Sequence, residues 1–339
     1  MREKTSGFKI EESQRQSWLS IAAVWAGGMI CVPCLMIGGV LSGGGLSLAE
    51  IVISILIGYG LICVYMIFIG MQACDTGLPV AVMASGALGE KGARYVISTL
   101  IAIACIGWFG IQSATCGQAF ATMTAPLLGM EATTGFVAVC SIIWGAIMLA
   151  TACAGFKGLK WLNYIAVPLL VIVCLYGLIA LVLATWTTNV TNAYSGGLAL
   201  SNLLGFDESK FKITTGISGA IGTLLAAFGL LNSFQGFLSL MSALIPPLAG
   251  VIIAAYWITG KGKKENFYFS KGVSAAGLIS FLVGALVACI TGGTFASFPG
   301  LVEAVPFLNT PFFVGPVNGI VVSLVLYVIL AAAFPKKAN

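Results

Sequence analysis

Residues 161–204 read WLNYIAVPLLVIVCLYGLIALVLATWTTNVTNAYSGGLALSNLL, 44 positions without one charged side chain. About 20 apolar residues of helix cross a hydrocarbon core about 30 Å thick, so this run is too long for one membrane span and just long enough for two. Basic residues bound it on both sides, Lys157 and Lys160 before and Lys210 and Lys212 after. Lys and Arg gather in cytoplasmic loops, so both ends of the run lie on one side of the membrane and it crosses an even number of times. The expectation is a tight hairpin of two helices. Only Gly177 or the polar stretch Thr185–Asn192 offers a turn between them.

The same rule orders the rest of the chain. Basic clusters stand at Arg2, Lys4, Lys9 and Arg15, at Lys91 and Arg94, from Lys261 to Lys271, and at Lys336 and Lys337, while the alternate loops hold none. Between them lie apolar runs near 17–41, 48–72, 95–118, 134–154, 213–231, 236–259, 272–291 and 314–334. Together with the hairpin these make ten spans. The spacing predicts an all-α polytopic membrane protein in which residues 17–334 form a single transmembrane domain. Residues 1–16 and 335–339 are then cytoplasmic tails, and the setting is the plasma membrane. The run near Ser17 is followed by no small-residue cleavage pattern, so it reads as a retained span. Composition agrees, since 59% of the 339 residues are hydrophobic and 8% charged, where soluble chains carry about 25% charged residues. The mean hydropathy is +1.05.

What the chain lacks excludes much. It has no His, so the commonest metal ligand, the usual proton relay and the usual activator of a Ser or Cys nucleophile are all missing. None of the 11 acidic residues falls deep in a span; Glu50 and Asp75 lie near span ends. No acid, base or nucleophile constellation remains for an intramembrane enzyme. The 16 basic residues outnumber the acids to give +5, but they mark topology rather than a nucleic-acid surface. Most of the ten Cys sit in apolar runs and read as small buried hydrophobes. Cys31-Val32-Pro33-Cys34 has the C-x-x-C spacing of redox sites, but no βαβ unit surrounds it, which sets a redox role aside.

Three places carry polar chemistry at depth. Gly27-Gly28-Met29-Ile30-Cys31-Val32-Pro33 interrupts the first span. Unwound backbone there frees carbonyls for a cation; a packing kink is the other reading. Trp186-Thr187-Thr188-Asn189-Val190-Thr191-Asn192 sets hydroxyls and amides side by side, either as cation ligands or as an external turn. In the third span Trp108 and Gln112 stand four apart and share a helical face. An aromatic plane beside an amide suits a flat heteroaromatic base, although aromatics in membrane spans are more often packing or interfacial residues. With no carboxylate relay available, a sodium ion is the expected coupling partner and a proton the alternative.

These blocks, in this order and followed by Ser242-Ala-Leu-Ile-Pro-Pro-Leu-Ala-Gly-Val-Ile-Ile-Ala-Ala-Tyr256, resemble the cytosine permeases of nucleobase:cation symporter family 1, the purine/cytosine permease family. The resemblance runs from about residue 17 to 270. It implies a leucine-transporter-like bundle of inverted repeats with a site at mid-membrane beside broken helices. It implies a sodium site on the carbonyls of Gly27, Ile30 and Ala184 and the hydroxyls of Thr187 and Thr188. Trp108 would stack the base, Gln112 would read its edge, and Asn189 would face the substrate. No cofactor, nucleic acid or obligate protein partner is implied, only a small nucleobase and the lipid bilayer. The implied function is import of cytosine or a related base by cation symport.

The chain also departs from the family. Between Pro168 and the Trp-Thr-Thr-Asn block, members carry a further stretch long enough for two spans. An Asn expected just ahead of that block is Ala184, and an acid expected after Ile252-Ile253-Ala254 is Ala255. An internally deleted, non-transporting membrane binding protein is therefore the alternative expectation.

Overall fold

Among the described residues the apolar runs are helical, because in hydrocarbon each backbone N–H and C=O must be satisfied within its own segment. The computed structural model describes residues 9–29, 31–173, 178–267 and 271–334, and among them it holds helices and no strand. The first run is two helices, α1 (Trp18–Met29) and α2 (Val32–Gly43). Then follow α3 (Leu48–Thr76), α4 (Ser98–Thr124), α5 (Thr134–Cys153), α6 (Gly155–Val173), α7 (Leu178–Leu204), α8 (Phe211–Ala227), α9 (Phe234–Ile253), α10 (Ala275–Thr291) and α11 (Gly315–Ala333).

Among the described residues five helical stretches are long and apolar enough to cross a membrane: Leu48–Thr76, Glu90–Thr124, Thr134–Cys153, Leu230–Thr259 and Gly315–Ala333. Trp18–Met29, Phe211–Ala227 and Ala275–Thr291 are shorter apolar helices. The long run 161–204 is shared between α6 and α7. Thr185–Asn192 lies inside α7 and is no turn; Gly177, the other candidate, is outside the described residues.

The chain forms two compact units, one of Met1–Glu12, Ile57–Leu100 and Gln235–Asn339, the other of Ser13–Leu56 and Ile101–Phe234. In the first, α10 packs along α11. There the Pro246-Pro247 pair sits inside α9, and the carbonyl of Pro247 accepts a hydrogen bond from Ser323 Oγ at 2.9 Å.

The second unit is built around α7, which packs against α1, α5, α6 and α8. Small residues set these distances: a Cβ on Gly110 of α4 would stand 2.8 Å from the carbonyl oxygen of Gly222 in α8. Only hydrogen at that position lets the two backbones meet so closely. A cluster of Phe109, Cys116, Met148, Val190 and Ala193 fills the space between α4, α5 and α7. On its flank Trp144 stands edge-on to Phe120 and Trp186, with centroids 5.4 and 6.0 Å apart. These contacts hold α7 fixed against α4, α5 and α1, which positions the polar residues described next.

Candidate functional site

The break in the first run decides the backbone chemistry. Cys31 is extended (φ −134°, ψ 157°) and caps α2, while its N–H donates to the carbonyl of Met29 at 3.0 Å. Pro in the first turn of α2 has no amide to waste there, so it starts the second half without cost. In a continuous helix the N–H of Cys31 would serve the carbonyl of Gly27; turned elsewhere, it leaves that oxygen open.

Two hydroxyls from α7 fill the opening. Thr187 Oγ1 donates to the carbonyl of Gly27 at 2.6 Å. Thr188 Oγ1 donates to the carbonyl of Gly28 at 2.9 Å and reaches that of Gly27 at 3.4 Å. Thr187 is fully buried. Four oxygens thus converge at one helix break, all of them neutral and hard, with carbonyl dipoles aimed inward. When the hydroxyl protons rotate away, the same oxygens present lone pairs that suit a small hard cation. Ala184 lies in α7 four residues before Thr188, where regular geometry directs its carbonyl to the Thr188 amide. Ile30 lies outside the described residues.

Beside these oxygens is a set of amides. Gln112 and Ser113 of α4 and Asn189 of α7 are all fully buried. Asn189 Nδ2 donates to Ser113 Oγ at 2.9 Å and points at Met148 Sδ at 3.1 Å. Asn189 Oδ1, Gln112 Oε1 and Gln112 Nε2 are buried without a hydrogen-bond partner. A buried polar atom left unpaired costs about 1–3 kcal/mol, so three of them in one region call for a polar partner, a water or a ligand. Trp108, one turn before Gln112, is half-buried. Its ring meets Phe234 edge-on, centroids 6.3 Å apart and planes at 77°. The Cys31 thiol lies beside the side chains of Gln112 and Thr188, so the helix break and the amides adjoin.

The structure therefore brings Gly27, Thr187 and Thr188 into contact and sets Asn189 against the residue that follows Gln112. Sequence reasoning did not identify the carbonyl of Gly28, nor Ser113 and Met148 as the anchors of Asn189. Ser113 adjoins Gln112 in the chain, but its role depends on where α7 crosses α4, which no local pattern encodes.

Over residues 9–177 and 170–315 the chain matches the family of permeases for cytosine/purines, uracil, thiamine and allantoin. With so much of its length matched, the chain belongs to that family: it is a multi-pass membrane transporter, not an enzyme. Among its relatives are the cytosine permeases of Escherichia coli strains K12 and O157:H7, each 24% identical over 367 aligned positions that take in 78% of this chain and 83% of the relative. That alignment exceeds the chain's own 339 residues, so the relatives carry residues it lacks.

Among solved structures it resembles Mhp1, a nucleobase-cation-symport-1 family transporter, closed with bromovinylhydantoin bound. The TM-score is 0.75 at 17% identity, covering 98% of this chain and 97% of that one. The inward-facing conformation of Mhp1 gives 0.62 at 18% identity, covering 94% and 92%. The fold is the leucine-transporter-like helical bundle.

Proposed function

We propose that this chain imports cytosine or a closely related nucleobase in symport with sodium. The observation that carries the reading is the set of unpartnered amide atoms on Gln112 and Asn189, next to the hydroxyl and carbonyl pairs of the helix break. In this account Trp108 stacks the base, Gln112 pairs with its polar edge and Asn189 Oδ1 accepts from an exocyclic or ring N–H. Gly27, Ile30, Ala184, Thr187 and Thr188 hold the ion. No carboxylate takes part, which favours sodium over a proton. That the relatives are cytosine permeases and that Mhp1 holds a hydantoin support a small planar ring as cargo. The orientation that goes with this reading puts both chain ends and every basic cluster on the cytoplasmic side of the plasma membrane. Residues 17–334 then form the one transmembrane domain.

Binding of labelled cytosine to the purified chain tests it. If ion and base occupy adjoining halves of one site, sodium must tighten the base and the base must tighten sodium by the same factor. Equal affinity in sodium and potassium would contradict the ion assignment, and no binding in either would contradict the substrate.

A second reading has one observation behind it, that the relatives carry residues this chain lacks. A chain that binds base with sodium but shows no saturable uptake in an inserted state would be a membrane binding protein that keeps the site without the transport cycle.

A further inference from the structure

The C-x-x-C segment begins two positions past Met29, the last residue of α1, and the fold gives it a geometry that spacing alone does not. Cys31 is the N-cap of α2, and Cys34 lies in the first turn of that helix. The Cys31 thiol makes no capping bond to the α2 backbone; it turns instead toward the thiol of Cys34. Their sulfurs are 3.2 Å apart, and neither is in a disulfide. Residues three apart on one helical turn have Cα atoms within the span a disulfide bridges, so bond formation needs the sulfurs to close by about 1 Å and no movement of a distant element.

We propose that Cys31 and Cys34 form a reversible dithiol–disulfide couple built into the helix break. The oxidant class is a hydroperoxide. Cys34 is the half-buried member and Cys31 is 3% exposed, so Cys34 meets the peroxide first. Its sulfur attacks one peroxide oxygen, the O–O bond breaks, and the departing hydroxide takes the thiol proton and leaves as water. The sulfur of Cys31 then attacks the resulting Cys34 sulfenic acid, an S–S bond forms, and the displaced hydroxyl takes the Cys31 proton as a second water. Two thiols and one hydrogen peroxide become one disulfide and two waters, and an external dithiol reverses the step.

The bond would tie the cap of α2 to its own first turn. Cys31 sits beside Gln112 and Thr188, so the disulfide form holds the break in one backbone conformation. No part of this couple depends on which ligand the protein carries.

The test uses the full chain in membranes, treated with hydrogen peroxide, denatured, labelled with a maleimide and digested. The peptide spanning residues 31–34 should become lighter by two hydrogens and resist labelling, and dithiothreitol should restore both thiols. Amides from Gly27 to Leu35 should exchange hydrogen more slowly in the oxidised form. In Cys34→Ser the bridge must vanish while Cys31 labels or is capped singly. Persistent free thiols, bridging of Cys31 to any other cysteine, or oxidation of Cys34 to the sulfinic acid without a bridge would overturn the proposal. A bridge that leaves exchange unchanged would overturn its effect on the break.

Discussion

Replacing Gln112 by Leu separates a ligand contact from a structural one, because the two roles predict opposite signs. Gln112 is fully buried, and neither its Oε1 nor its Nε2 has a hydrogen-bond partner. Leu has a similar volume and no polar atom, so the substitution removes two unpaired buried groups and opens little cavity. Each such group costs about 1–3 kcal/mol, and Leu carries none of that cost. The ligand-free variant should therefore unfold at the same or a higher temperature than the parent, with a gain of up to about 2 kcal/mol after imperfect packing is allowed for.

Binding should move the other way. A base whose edge made two hydrogen bonds to the amide would now be buried with that edge unpaired, a loss of about 2–4 kcal/mol, or roughly 30- to 1000-fold in affinity. Thermal unfolding in detergent by intrinsic tryptophan fluorescence, with and without cytosine, reads both quantities in one series. A variant that unfolds earlier by more than about 1 kcal/mol yet binds cytosine as the parent does would refute the reasoning. Gln112 would then be a packing residue.

The other predictions concern the neighbouring parts. Trp108→Ala should weaken cytosine binding by about 1–3 kcal/mol, the worth of a base stacked on an aromatic ring; an unchanged dissociation constant removes Trp108 from the site. Thr187→Val keeps the side-chain shape but deletes the hydroxyl that meets the Gly27 carbonyl. It should raise the sodium concentration for half-maximal binding at least tenfold, and a sodium titration that superimposes on the parent's would count against the ion site. Gly110→Ala puts a methyl 2.8 Å from the Gly222 carbonyl oxygen, so the chain should lose about 1–3 kcal/mol of stability by overpacking. Wild-type stability in that variant would show that α4 and α8 do not meet there. Single cysteines through Leu178–Leu198 in a cysteine-free background should resist external maleimide around Thr187 and Thr188, whereas uniform labelling would place that stretch in an outside loop.

Much of the candidate site's local geometry was legible because its devices are local. Two glycines followed by a proline six positions after Gly27 mark a helix that cannot run straight through, and α1 and α2 meet at that point. Trp108 and Gln112 stand four apart, which puts them on one face of any helix. The stretch Thr185–Asn192 could not be resolved in the same way. Hydropathy charges its hydroxyls and amides at full cost, as a turn would avoid, yet it is helical. The cost falls away because Thr187 and Thr188 donate to carbonyls of α1 and Asn189 donates to Ser113 of α4. Those partners lie 76 to 161 positions away in sequence, beyond the reach of any local pattern.

The closeness of the two C-x-x-C thiols was hidden from the sequence for a related reason. A βαβ setting is one way to place two cysteines at the start of a helix, and a broken membrane helix is another. What brings Cys31 and Cys34 together is the cap of α2, and that cap exists only because the helix restarts at Val32.

The most direct test of the central claim is uptake of labelled cytosine by cells that lack their own permease, in sodium and in potassium, once the chain is shown to reach the membrane. The account predicts saturable uptake that requires sodium, survives a protonophore and falls sharply in Thr187→Val. Uptake indifferent to sodium and abolished by the protonophore would contradict it, as would a correctly inserted chain that takes up no base.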